Sequence, residues 1–196
     1  MPVLSDSKAK AQRVLCAHNL KENFKSFEFY CSDYRDIYPC ANDENMPWLW
    51  MGRGWKTFLA PYINDIDILH CPAEHTDKYD NTSYGYSMCF YHSVEQINKM
   101  TDKSNTYSNP VISVPVHTGD VSYPSRKILL GEWFSNHKPV TGDYNTEPGW
   151  WSWKGTRNFI FADGHIEFLP AKKIQPANDN WPDPNLTVNG VAGSDK

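Results

Sequence analysis

The chain has 196 residues, a net charge of −4 and a pI near 5.9. No basic stripe runs along it, so nucleic acid is not an expected partner. Hydrophobic residues make up 40% of the sequence, which excludes a disordered chain and supplies a core for one domain with long loops. No run of about 18 apolar residues occurs, so this stretch holds no candidate transmembrane helix, and it holds no signal peptide.

Residues 4 to about 34 read as one long helix. Ser5 and Asp6 can cap or charge its start. Cys16, Leu20, Phe24, Phe27, Cys31 and Tyr34 recur at spacings of three and four, flanked by Ala17 and Tyr30. Leu20, Phe24 and Phe27 are the expected core contacts. The first three turns carry little apolar surface, so a helix of roughly 45 Å should project before it packs. Met1 stands directly before Pro2-Val3-Leu4, which reads as an abrupt entry into a helix that begins upstream.

Residues 35 to 82 are irregular, punctuated by Pro39, Pro47, Gly52, Gly54, Pro61 and Pro72. A short helix is expected over Trp55–Ile63 and a strand over Ser83–Tyr91. Ser93-Val94-Glu95-Gln96 fits a capping box that opens a helix to Met100. Lys127–Phe134 reads as a buried strand. Asn158–Ala162 and His165–Leu169 read as a hairpin around Asp163-Gly164. A two-residue type I′ turn there sets Phe159, Phe161, Ile166 and Phe168 on one face. Ile160, Ala162, His165 and Glu167 then share the other. Residues 176–196 are rich in Asn, Asp, Pro and Gly and read as an extended or disordered tail. The expected fold is α+β: one domain over 1–175, with a long N-terminal helix packed on an antiparallel β-sheet and long irregular loops over 35–175.

Five cysteines are present: Cys16, Cys31, Cys40, Cys71 and Cys89. None forms a Cys-x-x-Cys pair. In an oxidising compartment they are candidates for one or two bridges, and the odd number leaves at least one thiol free or shared between chains. Cys71 lies beside His70 and near His75, yet this spacing matches no zinc pattern. Asp163 is read first as a turn residue with Gly164 in a structural role, and second as a calcium ligand. No other cofactor is expected. Trp150, Trp151 and Trp153 cluster in one loop, where exposed indoles would stack on sugar rings and buried ones would pin the loop to the sheet. The chain lacks a Gly-x-Ser-x-Gly elbow, a phosphate loop and a His-Glu-x-x-His helix, so it is not expected to be an enzyme.

Cys16-Ala17-His18-Asn19-Leu20-Lys21 resembles the Cys-x-x-Asn-Leu-Lys helix segment of prepilin-like proteins. Cys71-Pro72 resembles their mid-chain Cys-Pro, and Pro124–Leu130 their Pro-Ser-x-x-x-Leu-Leu strand. Asn158–His165 resembles the final hairpin of the branch named for a histidine, nine residues and Asp-Gly. Trp153 stands where that histidine would be, which puts any role of the histidine in doubt. The resemblance covers about 60 residues in four islands, in order. It implies a pseudopilin-like structural subunit, similar to those of type II secretion or type IV pilus-like assemblies. Its implied partners are other pseudopilin subunits, met through the N-terminal helix, and the inner membrane, met through a missing N-terminal segment. The domain would then lie on the extracytoplasmic, periplasmic side of the cell envelope. The alternative is an extracytoplasmic glycan-binding module that uses the Trp-rich loop.

Overall fold

A computed structural model describes residues 2–41, 49, 54–74, 82–101, 111–138, 149 and 152–196, with backbone alone for 2–5. Helix α1 spans Pro2–Asp33. It lies on a four-stranded antiparallel sheet of β1 (Tyr84–Tyr86), β2 (Ile128–Glu132), β3 (Thr156–Phe161) and β4 (Ile166–Pro170), paired in chain order. The fold class is therefore α+β. No described helix is long and apolar enough to cross a membrane.

The three-and-four spacing of α1 meets the sheet as expected. Cys16, Leu20, Phe24, Phe27, Tyr30 and Cys31 are buried, whereas Tyr34 at the helix end is exposed. Phe27 packs on Tyr86 of β1 with ring centroids 4.9 Å apart. A polar stripe runs beside the apolar one. Asn19 Nδ2 donates to the His70 carbonyl at 2.8 Å, Asn23 Nδ2 to that of Ile68 at 2.7 Å, and Ser26 Oγ to that of Tyr62 at 3.2 Å. These side chains satisfy carbonyls of the irregular 62–70 stretch that would otherwise be stranded between helix and loop.

Two short helices follow their local sequence. Helix α2 covers Trp55–Leu59 and tightens into a 3₁₀ turn at Ala60–Tyr62, where Pro61 ends the regular ladder. Helix α3 covers Val94–Lys99. Its capping box is complete: Gln96 N donates to Ser93 Oγ, and Ser93 N to Gln96 Oε1. The strand expected over Ser83–Tyr91 is shorter. It stops at Tyr86, because Ser87 caps a 3₁₀ turn at Met88–Phe90.

The hairpin differs from expectation by one residue. Phe159 pairs with Glu167 and Ile160 with Ile166, so the loop holds three residues, Ala162-Asp163-Gly164. Gly164 alone takes a positive φ, +81°. This is a type I turn followed by a left-handed glycine, closed by Gly164 N donating to the Phe161 carbonyl. Asp163 Oδ1 accepts from His165 N, which holds the turn without a positive φ at Asp163. The shift exchanges the faces of β4. Ile166 and Phe168 join Asn158 and Ile160 beneath α1, whereas His165 and Glu167 join Phe159 and Phe161 on the far side. The Phe161 and His165 rings stack at 4.3 Å, as cross-strand partners should.

Residues 176–196 cover that far side. Ala177, Leu186 and Val191 are buried in the core, so this segment belongs to the domain that was expected to end at 175. Lys127 is fully buried, and its Nζ lies 3.1 Å from Asp195 Oδ2. Burial works against the lysine's charge, but Asp195 beside it holds its pKa above the ordinary lysine value. Asp195 Oδ2 also accepts from Ile128 N at 2.7 Å.

Three outcomes are expected in urea unfolding of the purified protein. Leu20→Ala should cost about 2–5 kcal/mol, as a large side chain lost from a packed core. Gly164→Val should cost about 1–3 kcal/mol through backbone strain, because the residue is left-handed. A Cβ there would also lie 2.6 Å from the Phe24 ring. Asp195→Ala should cost about 3–5 kcal/mol, because it leaves the Lys127 ammonium buried without its counter-charge. A change below about 0.5 kcal/mol at Asp195 would show that the tail does not close the fold.

Candidate functional site

Midway along α1, where the helix enters the domain, four metal-donor side chains from four segments converge. Cys16 comes from α1 and Cys71 from the turn before β1. Glu132 is the last residue of β2, and His137 lies in the loop that follows. One donor atom of each lies within 4.8 Å of the others. Glu132 Oε1 is the hub. It stands 2.8 Å from Cys16 Sγ, 3.5 Å from Cys71 Sγ and 2.6 Å from His137 Nε2. Cys71 Sγ is in turn 3.4 Å from His137 Nε2.

The cluster is dry. Cys16 and Glu132 are 0% exposed, Cys71 is 3% exposed, and the His137 side chain is 1% exposed. A second layer of contacts fixes it. The other carboxylate oxygen of Glu132 accepts from Asn158 N at 2.5 Å, and the Tyr84 hydroxyl lies 3.1 Å from Cys16 Sγ. Ser83 Oγ accepts from Cys71 N at 2.7 Å. The His137 ring meets the edge of Phe168, over which Arg13 is stacked.

Each titration follows from this crowding. Burial, together with the neighbouring Cys71 and Glu132, pushes the Cys16 thiol far above its ordinary range. Cys71 moves the other way, drawn down by hydrogen bonds from Cys16 and His137 against the effect of burial. Burial disfavours a charged His137, but its contacts with Cys71 and Glu132 prevail and push its pKa to about 9. Two sulfurs, an imidazole and a carboxylate are donor types that could hold a tetrahedral metal ion. The same sulfurs could also pair as a disulfide, although all five cysteines are free thiols in this structure.

Sequence spacing ties Cys71 to His70 and His75, but the fold ties it to Cys16 and His137. His70 meets the helix through its backbone carbonyl, which accepts from Asn19 and also from Tyr84, and His75 lies outside the described residues. The signal for the cluster was faint: a carboxylate closing the apolar run Ile128–Gly131, and a cysteine on the buried stripe of α1. Asp163 stands apart from any group of three or more metal donors among the described residues. Burial works against its charge, yet hydrogen bonds from the ring and backbone of His165 hold its pKa below the ordinary aspartate value. That carboxylate is engaged within its own turn. Trp150 and Trp151 lie outside the described residues, and Trp153 is 40% exposed. Trp133 is buried in the core.

The four sequence islands meet in space. Cys16 faces Cys71, and Lys21 Nζ donates to the Gly164 carbonyl at 2.8 Å. Asp163 N and Ala162 N donate to the carbonyls of Pro124 and Lys127. No family model, curated protein or solved structure matches this chain.

Glu132→Ala should destabilise the metal-free, reduced protein by about 3–5 kcal/mol, because it strands a buried imidazole and an amide of β3. Glu132→Gln, which keeps an acceptor for Asn158 N, should cost less. Denaturant melts in chelator and reductant measure both.

Proposed function

We propose that this chain is a pseudopilin-like structural subunit of a type II secretion or type IV pilus-like assembly. In this reading it is held at the inner membrane, with its domain on the extracytoplasmic side, and performs no catalysis. The supporting observation is the division of α1. From Cys16 to Cys31 its inner face is sealed against the sheet, while Asp6–Ala11 stand exposed. Val14 and Leu15, 65% and 49% exposed, add an apolar pair where the free turns meet the domain. A helix half embedded and half free is suited to pack beside equivalent helices of neighbouring copies. The meeting of the four resembling segments around α1 supports the same reading.

A photo-crosslinking residue at Val14 or Leu15, in the full-length protein in its native cells, tests this. Cross-linked multiples of the chain, or adducts with other helical subunits, are expected in the membrane fraction. The same residue at Lys154, far along the chain and exposed, should give far fewer. Recovery of the protein as an uncrosslinked cytosolic monomer would refute the proposal.

A further inference from the structure

We propose that Cys16 Sγ, Cys71 Sγ, Glu132 Oε1 and His137 Nε2 bind one zinc ion, and that this structural site fastens α1 to the sheet and to the Cys-Pro turn.

Geometry is the first argument. Zinc bonds of about 2.3 Å to sulfur and about 2.0–2.2 Å to nitrogen or oxygen give a tetrahedron with edges of roughly 3.3–3.8 Å. The carboxylate stands 2.6 Å from the imidazole and 3.5 Å from the Cys71 sulfur, and all four donor atoms lie within 4.8 Å of one another. Opening the shorter edges takes movements below about 1 Å. The fold already gathers the four donors from helix, turn, strand end and loop.

Chemistry is the second. Two thiolates with an imidazole and a carboxylate suit zinc, and disfavour the hard oxygen-seeking cations calcium and magnesium. Four protein donors in a dry pocket leave no open position for water or substrate, which marks a structural site and not a catalytic one. The surrounding contacts fit the same use. The Tyr84 hydroxyl can donate to the Cys16 thiolate, and Asn158 N already holds the carboxylate oxygen that faces away from the centre.

Topology is the third. The ligands stand at 16, 71, 132 and 137, on helix, turn, strand end and loop. A disulfide between Cys16 and Cys71 would tie only the helix to the turn. It would also leave the buried carboxylate and imidazole beside sulfurs that no longer carry a proton or a charge. The metal engages all four groups and ties three structural layers at one point. Metal binding of this kind is coupled to folding.

The test uses tag-free protein purified with reductant. Elemental analysis should find one zinc per chain. Cobalt titration of the stripped protein should give the intense visible bands of a tetrahedral ion, with thiolate charge transfer in the near ultraviolet. X-ray absorption of the zinc form should show two sulfur and two nitrogen or oxygen neighbours. Cys71→Ser and His137→Ala should lose stoichiometric metal, whereas Cys31→Ser should retain it. Tyr84→Phe, which keeps every ligand, should weaken zinc affinity by about 10–100-fold and so supports the assignment even if a ligand variant does not fold. The proposal is overturned if reduced wild-type protein takes up no zinc or cobalt in excess metal. It is equally overturned if Cys71→Ser binds as tightly as wild type. Protein isolated from its native compartment with Cys16 and Cys71 joined as a disulfide, and no metal, would also overturn it.

Discussion

The structure depends on a carboxylate taken entirely out of water. Glu132 ends β2 with no exposed surface, and such a charge is tolerated only where partners replace its hydration. Those partners come from every layer. Asn158 N belongs to the neighbouring strand, Cys16 to the helix and His137 to the following loop. Apolar contacts hold α1 on the sheet through shape, because a close-packed core resists displacement, and the buried carboxylate adds a directional demand to them. It fixes the axial position of the helix at Cys16, and from there Leu20, Phe24 and Phe27 fall onto the sheet in turn.

The polar stripe of α1 applies the same constraint to the irregular region. Residues 62–70 make no sheet, so their carbonyls need other partners. Asn19, Asn23 and Ser26 supply them from consecutive turns of the helix. Lys21 extends the pattern to the hairpin, where its ammonium caps the Gly164 carbonyl and lies over the Phe24 ring. One helical segment thus reads out a turn, a loop and a hairpin through its polar groups, while its apolar stripe supplies the bulk of the burial.

Much of this was legible in the sequence, and what was not has physical causes. The long helix, the capping box at Ser93, the strand around Leu129 and the hairpin at Gly164 all rest on local signals of spacing and turn chemistry. The hairpin register does not. Asp-Gly serves both a two-residue type I′ turn and the last two positions of a three-residue loop, and only cross-strand packing chooses between them. Here the choice put Ile166 and Phe168 under the helix and stacked His165 on Phe161. The tail was misleading for a similar reason. Its composition is that of a loop, yet Leu186 and Val191 are enough to anchor it once Asp195 meets Lys127. The cluster of Cys16, Cys71, Glu132 and His137 was hidden because three of its four members are far apart in sequence. No spacing rule joins residues that only a finished fold brings together.

The two buried charge clusters lie on opposite sides of the same sheet, and this placement bears on how the domain would transmit force. Glu132 and its partners hold the helix on one face. Lys127 and Asp195 hold the tail on the other, five residues earlier along the same stretch of chain. Strand β2 is therefore pinned at both ends by ionic contacts from opposite sides, and its interior is filled by apolar residues. In the proposed assembly, a helix drawn along its axis would load the Glu132 cluster first, because Cys16 is the first fully buried residue among the described side chains of α1. The load would then pass into β2 and β3 through the Asn158 amide, and along ladder hydrogen bonds that run across the strands. A single cross-link at Cys16, close to where the free turns of α1 enter the domain, is where such a load would be carried with least distortion of the core. This is a physical reason for metal donors to gather at that point of the helix and not deeper in the hydrophobic stripe.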